Sequence, residues 1–172
     1  IRQGPETVQA VISANNVQSR DSQGRTALHI AVLSHAEPDV VNFLIKSGAD
    51  INARDKNGDS PLHIAVREND RANGELLLAR GADVFYPNVT GDSPLRAALT
   101  RRGGREDWVL NSLVIKAADG AGNTPLHLAA EWQLDQVVSF IVDKGGSLNA
   151  KNANGETPLF SAVKADSADR KS

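Results

Sequence analysis

One stretch of the chain, from Asn57 to Ala65, recurs several times with small changes and constrains the fold more than any other feature. Each copy has a glycine, one variable residue, Ser or Thr, then Pro or Ala, and then Leu. The opening glycines are Gly24, Gly58, Gly91, Gly122 and Gly155, so the intervals are 34, 33, 31 and 33 residues. A period of this length is typical of a repeat array, in which each unit stacks on its neighbours.

The recurring pattern resembles the ankyrin repeat. Thr124-Pro125-Leu126-His127-Leu128-Ala129 has the Thr-Pro-Leu-His-x-Ala form of that family. A second-half signature, Gly48-Ala49-Asp50-Ile51-Asn52-Ala53, returns in related forms from Gly81 and Gly145. The resemblance implies an all-α solenoid of helix-turn-helix units with β-hairpin-like finger loops. It also implies a concave surface formed by the fingers and the first helix of each unit.

The repeat boundaries predict a single ankyrin-repeat domain over residues 1–172. Its parts are a partial repeat at 1–20, repeats at 21–54, 55–87, 88–118 and 119–151, and a partial repeat at 152–172. In each full repeat a glycine turn precedes a capping Ser or Thr and then a short helix.

Two parts of the chain depart from the regular pattern. Repeat 88–118 has a long loop at Arg101–Arg105 and a shortened finger at 114–118, either in the protein itself or because residues are absent from the sequence. The residues after Val163 are mostly polar, which predicts that the last unit has one helix followed by a tail without a packed second helix.

The composition narrows the classes of function. Lys plus Arg number 19 and Asp plus Glu number 21, so charge gives no reason to expect a nucleic-acid or membrane partner. Cysteine is absent, and no apolar run approaches the roughly 18–20 residues of a membrane span. These features favour a cytoplasmic protein. The chain begins at Ile1 and has no methionine, which indicates a piece of a longer protein.

Three histidines, His29, His63 and His127, recur at one position of the repeat and invite comparison with a metal site. In the ankyrin family this histidine is structural, with its ring bonded to the Thr or Ser of the same motif and to backbone. Arg96 and Phe160 replace it in two units, which argues against a required ligand set. No catalytic motif is present. We therefore expect no metal, no cofactor and no enzymatic activity.

The resemblance implies that a protein partner is bound by finger tips and by the exposed side of the first helix. Candidate partner-binding residues at these positions are Trp132, Glu131, Phe85, Tyr86, Arg67, Glu68, Arg101, Lys56, Asp59, Asp92 and Asn123. The aromatic candidates are the most informative, because Trp and Tyr are enriched at interface hot spots. Local packing is the alternative for each of them: Tyr86 could cover the shortened repeat, and Trp132 could lie on the second helix.

The sequence therefore predicts a monomeric protein–protein interaction scaffold for an unidentified protein partner. Two alternatives stay open. The chain could be a regulatory or targeting segment excised from a larger enzyme or channel, or it could be a structural spacer. Exposure of Trp132, Phe85 and Tyr86 on one concave face favours recognition, whereas their burial favours a spacer.

Overall fold

The computed structural model describes residues 16–100, 107–110 and 112–169. Within these ranges the regular structure is helical and no strand is present. The helices are α1 (Ala27–Leu33), α2 (Pro38–Lys46), α3 (Pro61–Arg67), α4 (Arg71–Ala79), α5 (Pro94–Thr100), a 3-10 helix (Asp107–Leu110), α6 (Ser112–Lys116), α7 (Pro125–Glu131), α8 (Asp135–Asp143) and α9 (Pro158–Asp169). The predicted all-α class of helix-turn-helix units is confirmed, with finger loops that are turns without strand pairing in the described residues.

The chain divides into two compact units, unit 1 (residues 1–97) and unit 2 (residues 98–172), and the division falls inside α5. In unit 1, α1 packs against α2 and α3, and α4 packs against α2 and α3. In unit 2, α7 packs against α6, α8 and α9. First helices therefore pack on first helices of the neighbouring repeat, as the period predicts.

The first helices are short, and burial holds them in place. Leu62 and Val66 lie one helical turn apart on α3 and are both fully buried. A helix of seven residues is marginal alone in water, so this buried stripe supplies the stability that its length does not. Ser60 caps α3 and Pro61 occupies its first position, where a missing N–H costs nothing.

The turn before α3 requires glycine for two reasons. Gly58 has a φ of 74°, a conformation that other residues rarely adopt. A Cβ at this position would also lie 3.0 Å from the backbone nitrogen of Val89 in the next turn. All five recurring turn glycines have a positive φ, and at Gly24, Gly58 and Gly122 the close approach of the next turn adds a second reason.

The end of the chain is more helical than its polar composition suggests. Helix α9 runs without a break from Pro158 to Asp169, so the residues after Val163 extend the first helix of the last unit. The segment has no Gly or Pro, and its alanines favour helix even though few apolar side chains are available. Helix α9 packs on α7, but Leu159, Phe160 and Val163 remain exposed.

Repeat 88–118 is irregular in its second half. The expected second helix is divided into the 3-10 helix and α6, and Trp108 in the first piece is 3% exposed. Arg101 and the loop to Arg105 lie outside the described residues, as does most of the partial repeat at 1–20.

Candidate functional site

Every finger turn is built around one side-chain oxygen. The Oδ1 atom of an Asp or Asn accepts hydrogen bonds from the backbone N–H groups two and four residues later, at 2.8–3.0 Å. The residues that do so are Asp21, Asp55, Asn88, Asp119 and Asn152. Because these bonds satisfy backbone groups within the turn, the turn is ordered before any partner arrives.

Backbone hydrogen bonds also join neighbouring turns. In unit 1, Lys56 N donates to Gln23 O at 2.9 Å, and Val89 N donates to Asn57 O at 3.0 Å. In unit 2, Ala153 N donates to Ala121 O at 2.9 Å. Within each unit the turns therefore form a continuous row with a fixed spacing.

The recurring histidines support these turns, as the structural interpretation predicted. His29 Nδ1 accepts from the Thr26 backbone N–H at 3.1 Å, so Nε2 carries the proton and donates to Asp59 O at 3.0 Å. His63 makes the same contacts with Ser60 and with Asp92 O at 3.1 Å. In unit 2, His127 donates to Glu156 O at 3.0 Å. Each ring links its own helix cap to the next finger turn.

Burial favours the neutral form of two of these rings. It lowers the pKa of His29 and of His63, and the backbone carbonyls that they contact only partly oppose the effect. The neutral form thus suits both the environment and the hydrogen bonds. Among the described residues, no three His, Cys, Asp or Glu side chains are grouped so that they could hold a metal ion.

Asp59 departs from its predicted role as an exposed finger residue. It is 4% exposed, and its carboxylate accepts from Arg67 Nη1 at 2.6 Å and from Asn88 Nδ2 at 2.8 Å. Burial alone would raise the pKa of Asp59, but the contacts with Asn88 and Arg67 hold it below its ordinary value. Asp59 therefore connects the finger to α3 and to the next turn instead of presenting a carboxylate to solvent.

Asn88 takes part in the same hydrogen-bond network as Asp59. Its Oδ1 accepts the Thr90 and Asp92 amides, and its Nδ2 donates to Asp59. The segment from Asn88 to Asp92 is therefore a turn that Asn88 closes with its own side chain.

The other polar candidates in unit 1 lie at the surface. Lys56, Glu68 and Asp92 are exposed. The Arg67 side chain is 51% exposed, and its Nε lies 3.5 Å from Glu68 Oε1. Its ion pair with Asp59 fixes the guanidinium at the exposed end of α3.

Tyr86 and Phe85 lie in the loop that leads to the third finger turn. Tyr86 occupies the slot of Ala53 one repeat earlier; Ala53 is 2% exposed, whereas Tyr86 is 58% exposed. The Arg54 guanidinium lies 4.0 Å from the centroid of the Tyr86 ring. Phe85 is half-buried, and its N–H donates to Asp83 Oδ1 at 2.8 Å. Of the two aromatic residues, Tyr86 is the more accessible.

In unit 2 the candidates lie around α7. Glu131, the last residue of α7, is exposed, and Trp132 follows it as the C-cap and is half-buried. The Trp132 backbone N–H donates to Leu128 O at 2.9 Å. Asn123 is half-buried, with its amide between Asp119 and Asn152. Recognition and packing both remain compatible with this placement of Trp132.

Two arginines that sequence reasoning missed, Arg20 and Arg54, join the loops of unit 1. Arg20 Nη1 donates to Arg54 O, 34 positions on, and Arg54 Nη2 donates to Pro87 O, 33 positions on. Their spacing by one repeat is the signal that would have identified them.

The repeat units and their histidine-supported turns define an ankyrin-repeat protein, and comparison with known proteins agrees. A family model for ankyrin repeats (3 copies) matches residues 1–88, 34–119 and 95–169. The chain therefore belongs to the ankyrin-repeat family. Ankyrin repeats are generally protein-interaction modules. No helix in the described ranges has the length and apolar character needed to cross a membrane.

Curated relatives match only part of the chain. Human Rabankyrin-5 is 45% identical over 42 residues, which is 24% of this chain and 4% of that protein. An ankyrin repeat-containing protein of Schizosaccharomyces pombe is 36% identical over 69 residues, or 38% of this chain and 33% of the relative. The match thus spans a third or less of the length of either relative.

Solved structures match almost the whole chain. The ankyrin repeat domain of Bcl-3, a member of the IκB protein family, is 30% identical with a TM-score of 0.62, covering 92% of this chain and 71% of that one. A chain from the complex of a Bdellovibrio bacteriovorus predatory endopeptidase with an immunity protein is 26% identical with a TM-score of 0.54, covering 95% and 85%. The similarity supports the repeat fold over nearly its full length.

Proposed function

We propose that this chain is a protein-recognition module that binds through its finger turns and the exposed ends of its first helices. The observation that carries the proposal is the combination of internally satisfied turns with exposed side chains such as Lys56, Asp92 and Tyr86. A surface that is ordered beforehand loses little conformational entropy on binding. The turns then act as rigid supports for variable side chains.

The proposed contacts are assigned to each unit separately. In unit 1 they are Lys56, Arg67, Glu68, Phe85, Tyr86 and Asp92, and in unit 2 they are Asn123, Glu131 and Trp132. Asp59 is left out because its carboxylate is buried, and Arg101 is retained from the sequence alone. Tyr86 and Trp132 are the proposed anchors, since Tyr and Trp are enriched at hot spots.

We propose that the chain binds as a monomer in the cytosol. Its proposed ligand is a protein, and not nucleic acid or a membrane. The near-balance of 19 basic and 21 acidic residues supports this choice of ligand. The similarity to a chain from a complex between an endopeptidase and an immunity protein supports a protein ligand as well.

The test is the Trp132→Ala variant of the chain. We expect partner capture from the native source to fall at least about tenfold, as for a hot-spot residue, with little change in melting temperature. Leu148→Ala is the matched control, because Leu148 is an exposed apolar residue of the same unit, at 56%. A large fall in melting temperature would make Trp132 a core residue, and unchanged capture would remove it from the interface.

A further inference from the structure

Arg20, Arg54 and Pro87 occupy the same slot in successive repeats of unit 1. Arg20 Nη1 donates to Gly24 O at 2.7 Å and to Arg54 O, and Arg54 Nη2 donates to Pro87 O. Each guanidinium is therefore fixed by the backbone of the following repeat. The two arginines form a row that ends at Tyr86, next to Pro87.

The charges of this row are not balanced within the described residues. Arg25, Arg67 and Arg71 pair with Asp21, Asp59 and Glu75 at 2.6–2.8 Å. In the part of the chain that the structure describes, no carboxylate oxygen lies within 4.0 Å of the Arg20 or Arg54 guanidinium. Both arginines instead bond to neutral carbonyls, so their positive charges remain available to a ligand.

Two carboxylates in these loops, Asp83 and Asp50, each bond to backbone amides through one oxygen. Asp83 Oδ1 accepts the Phe85 and Tyr86 N–H groups at 2.8 and 3.3 Å. Asp50 Oδ1 accepts the Asn52 N–H at 2.9 Å. Through these bonds each carboxylate holds its loop in shape, and in the described residues neither forms an ion pair with Arg20 or Arg54 within 4.0 Å.

A small open pocket lies beside the end of the row. It has a volume of about 190 Å³ and is lined by Asn52, Arg54, Ser60, Asp83 and Tyr86. A drug-sized ligand needs roughly 300–1,000 Å³, so this pocket suits a single side chain. Asn52 Oδ1 accepts the Asp83 N–H at 2.8 Å, which joins two of the lining residues.

We propose that this pocket is a subsite for an Asp or Glu side chain in an acidic segment of the protein partner. Arg54 supplies the charge and N–H groups beyond the one used by Pro87, and a guanidinium pairs well with a carboxylate. The Tyr86 ring holds the guanidinium in place from one face. Arg20 extends the positive row by one repeat. The inference rests on the proposed function and specifies the chemistry of the ligand at one of its surfaces.

The probe is a random dodecapeptide library displayed on phage and selected against the chain of residues 1–172. We expect the selected peptides to carry Asp or Glu. Replacing that residue by Asn or Gln, or making Arg54→Gln in the protein, should weaken binding about tenfold or more, as for a hydrogen bond to a charged group. The two changes together should cost little more than either alone, because they remove the same contact.

Controls separate this subsite from general charge and from misfolding. Arg80→Gln removes one positive charge at an exposed position at the end of α4 and should leave binding unchanged. Arg54→Lys keeps the charge but not the paired N–H groups, and should lie between the wild type and Arg54→Gln. Melting curves identify any variant that fails to fold. If Arg54→Gln fails to fold, Tyr86→Phe carries the test: it keeps the ring beside Arg54 and should retain binding.

Three results would overturn the subsite: selection of no peptide, selected peptides without acidic residues, or equal losses for Arg54→Gln and Arg80→Gln. Any of them, together with intact capture of a protein through Trp132, would leave the proposed function standing. If neither Trp132→Ala nor Tyr86→Ala reduced capture, the proposed function itself would be overturned.

Discussion

Repeats 55–87 and 119–151 have the same backbone plan and different side chains at its exposed ends. In both, an aspartate organises the finger turn and a histidine donates to a carbonyl in the next turn. Leu62 and Leu126, at the same position, are 0% and 1% exposed. The plan that the two repeats share therefore consists of backbone contacts and buried leucines, which do not depend on the outer side chains.

The difference lies at the junction of the finger with the first helix. Repeat 55–87 has Asp59 and Arg67, which form an ion pair at 2.6 Å, whereas repeat 119–151 has Asn123 and Glu131 at these positions. Both Asp59 and Asn123 still accept from the Asn of the next turn, at 2.8 and 2.9 Å. The contact between turns thus tolerates a change of charge, and the ion pair is an addition that the scaffold does not require.

The largest expected effect tests the shared part of the comparison. Leu62→Ala and Leu126→Ala each remove a buried side chain from the first helix and leave a cavity. We expect each to lower the free energy of unfolding by about 2–5 kcal/mol, measured by urea denaturation. Similar losses in the two variants would support one common plan.

Leu159 gives a matched control for this prediction. It has the same position in the last repeat but is 73% exposed, so Leu159→Ala should change stability by no more than about 0.5 kcal/mol. A loss as large as that of Leu62→Ala would mean that the outer face of α9 is covered in solution.

A smaller effect is expected where the two repeats differ. Asp59→Asn gives repeat 55–87 the side chain of repeat 119–151 and removes the buried charge that faces Arg67. We expect a loss of about 1.5–3 kcal/mol in the free energy of unfolding, which is the range for hydrogen bonds to charged groups. Arg67→Glu alone should cost as much or more, since it faces Asp59 with a like charge.

The double variant Asp59→Asn, Arg67→Glu reproduces the pair of repeat 119–151 and should be more stable than the sum of the single losses predicts. Strict additivity in this cycle would show that the ion pair contributes nothing. The reverse change, Asn123→Asp with Glu131→Arg, should then stabilise unit 2 if the junction is equivalent.

The sequence was sufficient for the repeat architecture because its signals are local and periodic. The turn glycines, the capping Ser and Thr residues and the leucines recur with one spacing, and helices form where they predict them. The histidines were assigned correctly from the same pattern. The length of α9 is harder to predict, because the polar composition after Val163 argues against packing whereas Ala165 and Ala168 favour helix.

The surface was less predictable because exposure depends on which neighbour covers each position. Asp59 occupies a finger slot in the sequence, yet Arg67 and Asn88 bury it, and a single repeat gives no sign of either contact. Arg54 was overlooked because its partners lie 33 and 34 positions away. Contacts between repeats can be predicted only by comparing two neighbouring repeats, as the row from Arg20 to Pro87 illustrates.

The smallest effect concerns pH and the two buried histidines of unit 1, His29 and His63. Burial lowers the pKa of His29 and His63, so the unfolded chain binds protons at a higher pH than the folded one. The contribution of these two rings to the free energy of unfolding should therefore be complete above about pH 6.5 and be lost as the pH falls below that value. Aspartates such as Asp59, whose pKa is lowered in the folded chain, lose their stabilising contribution only at lower pH, below the ordinary pKa range of a carboxyl group.

The measurement is the free energy of unfolding from pH 7.5 to 5, in a His35→Asn background. This background removes the ring that lies 3.4 Å from Asp70, and Asn tolerates the positive φ of 51° at that position. Replacing His29 and His63 by Gln should flatten the pH dependence even if overall stability falls, because the slope reports proton uptake and not the contact itself. An unchanged slope would assign the pH dependence to other groups and leave the histidine contact as a pH-independent support of the turns.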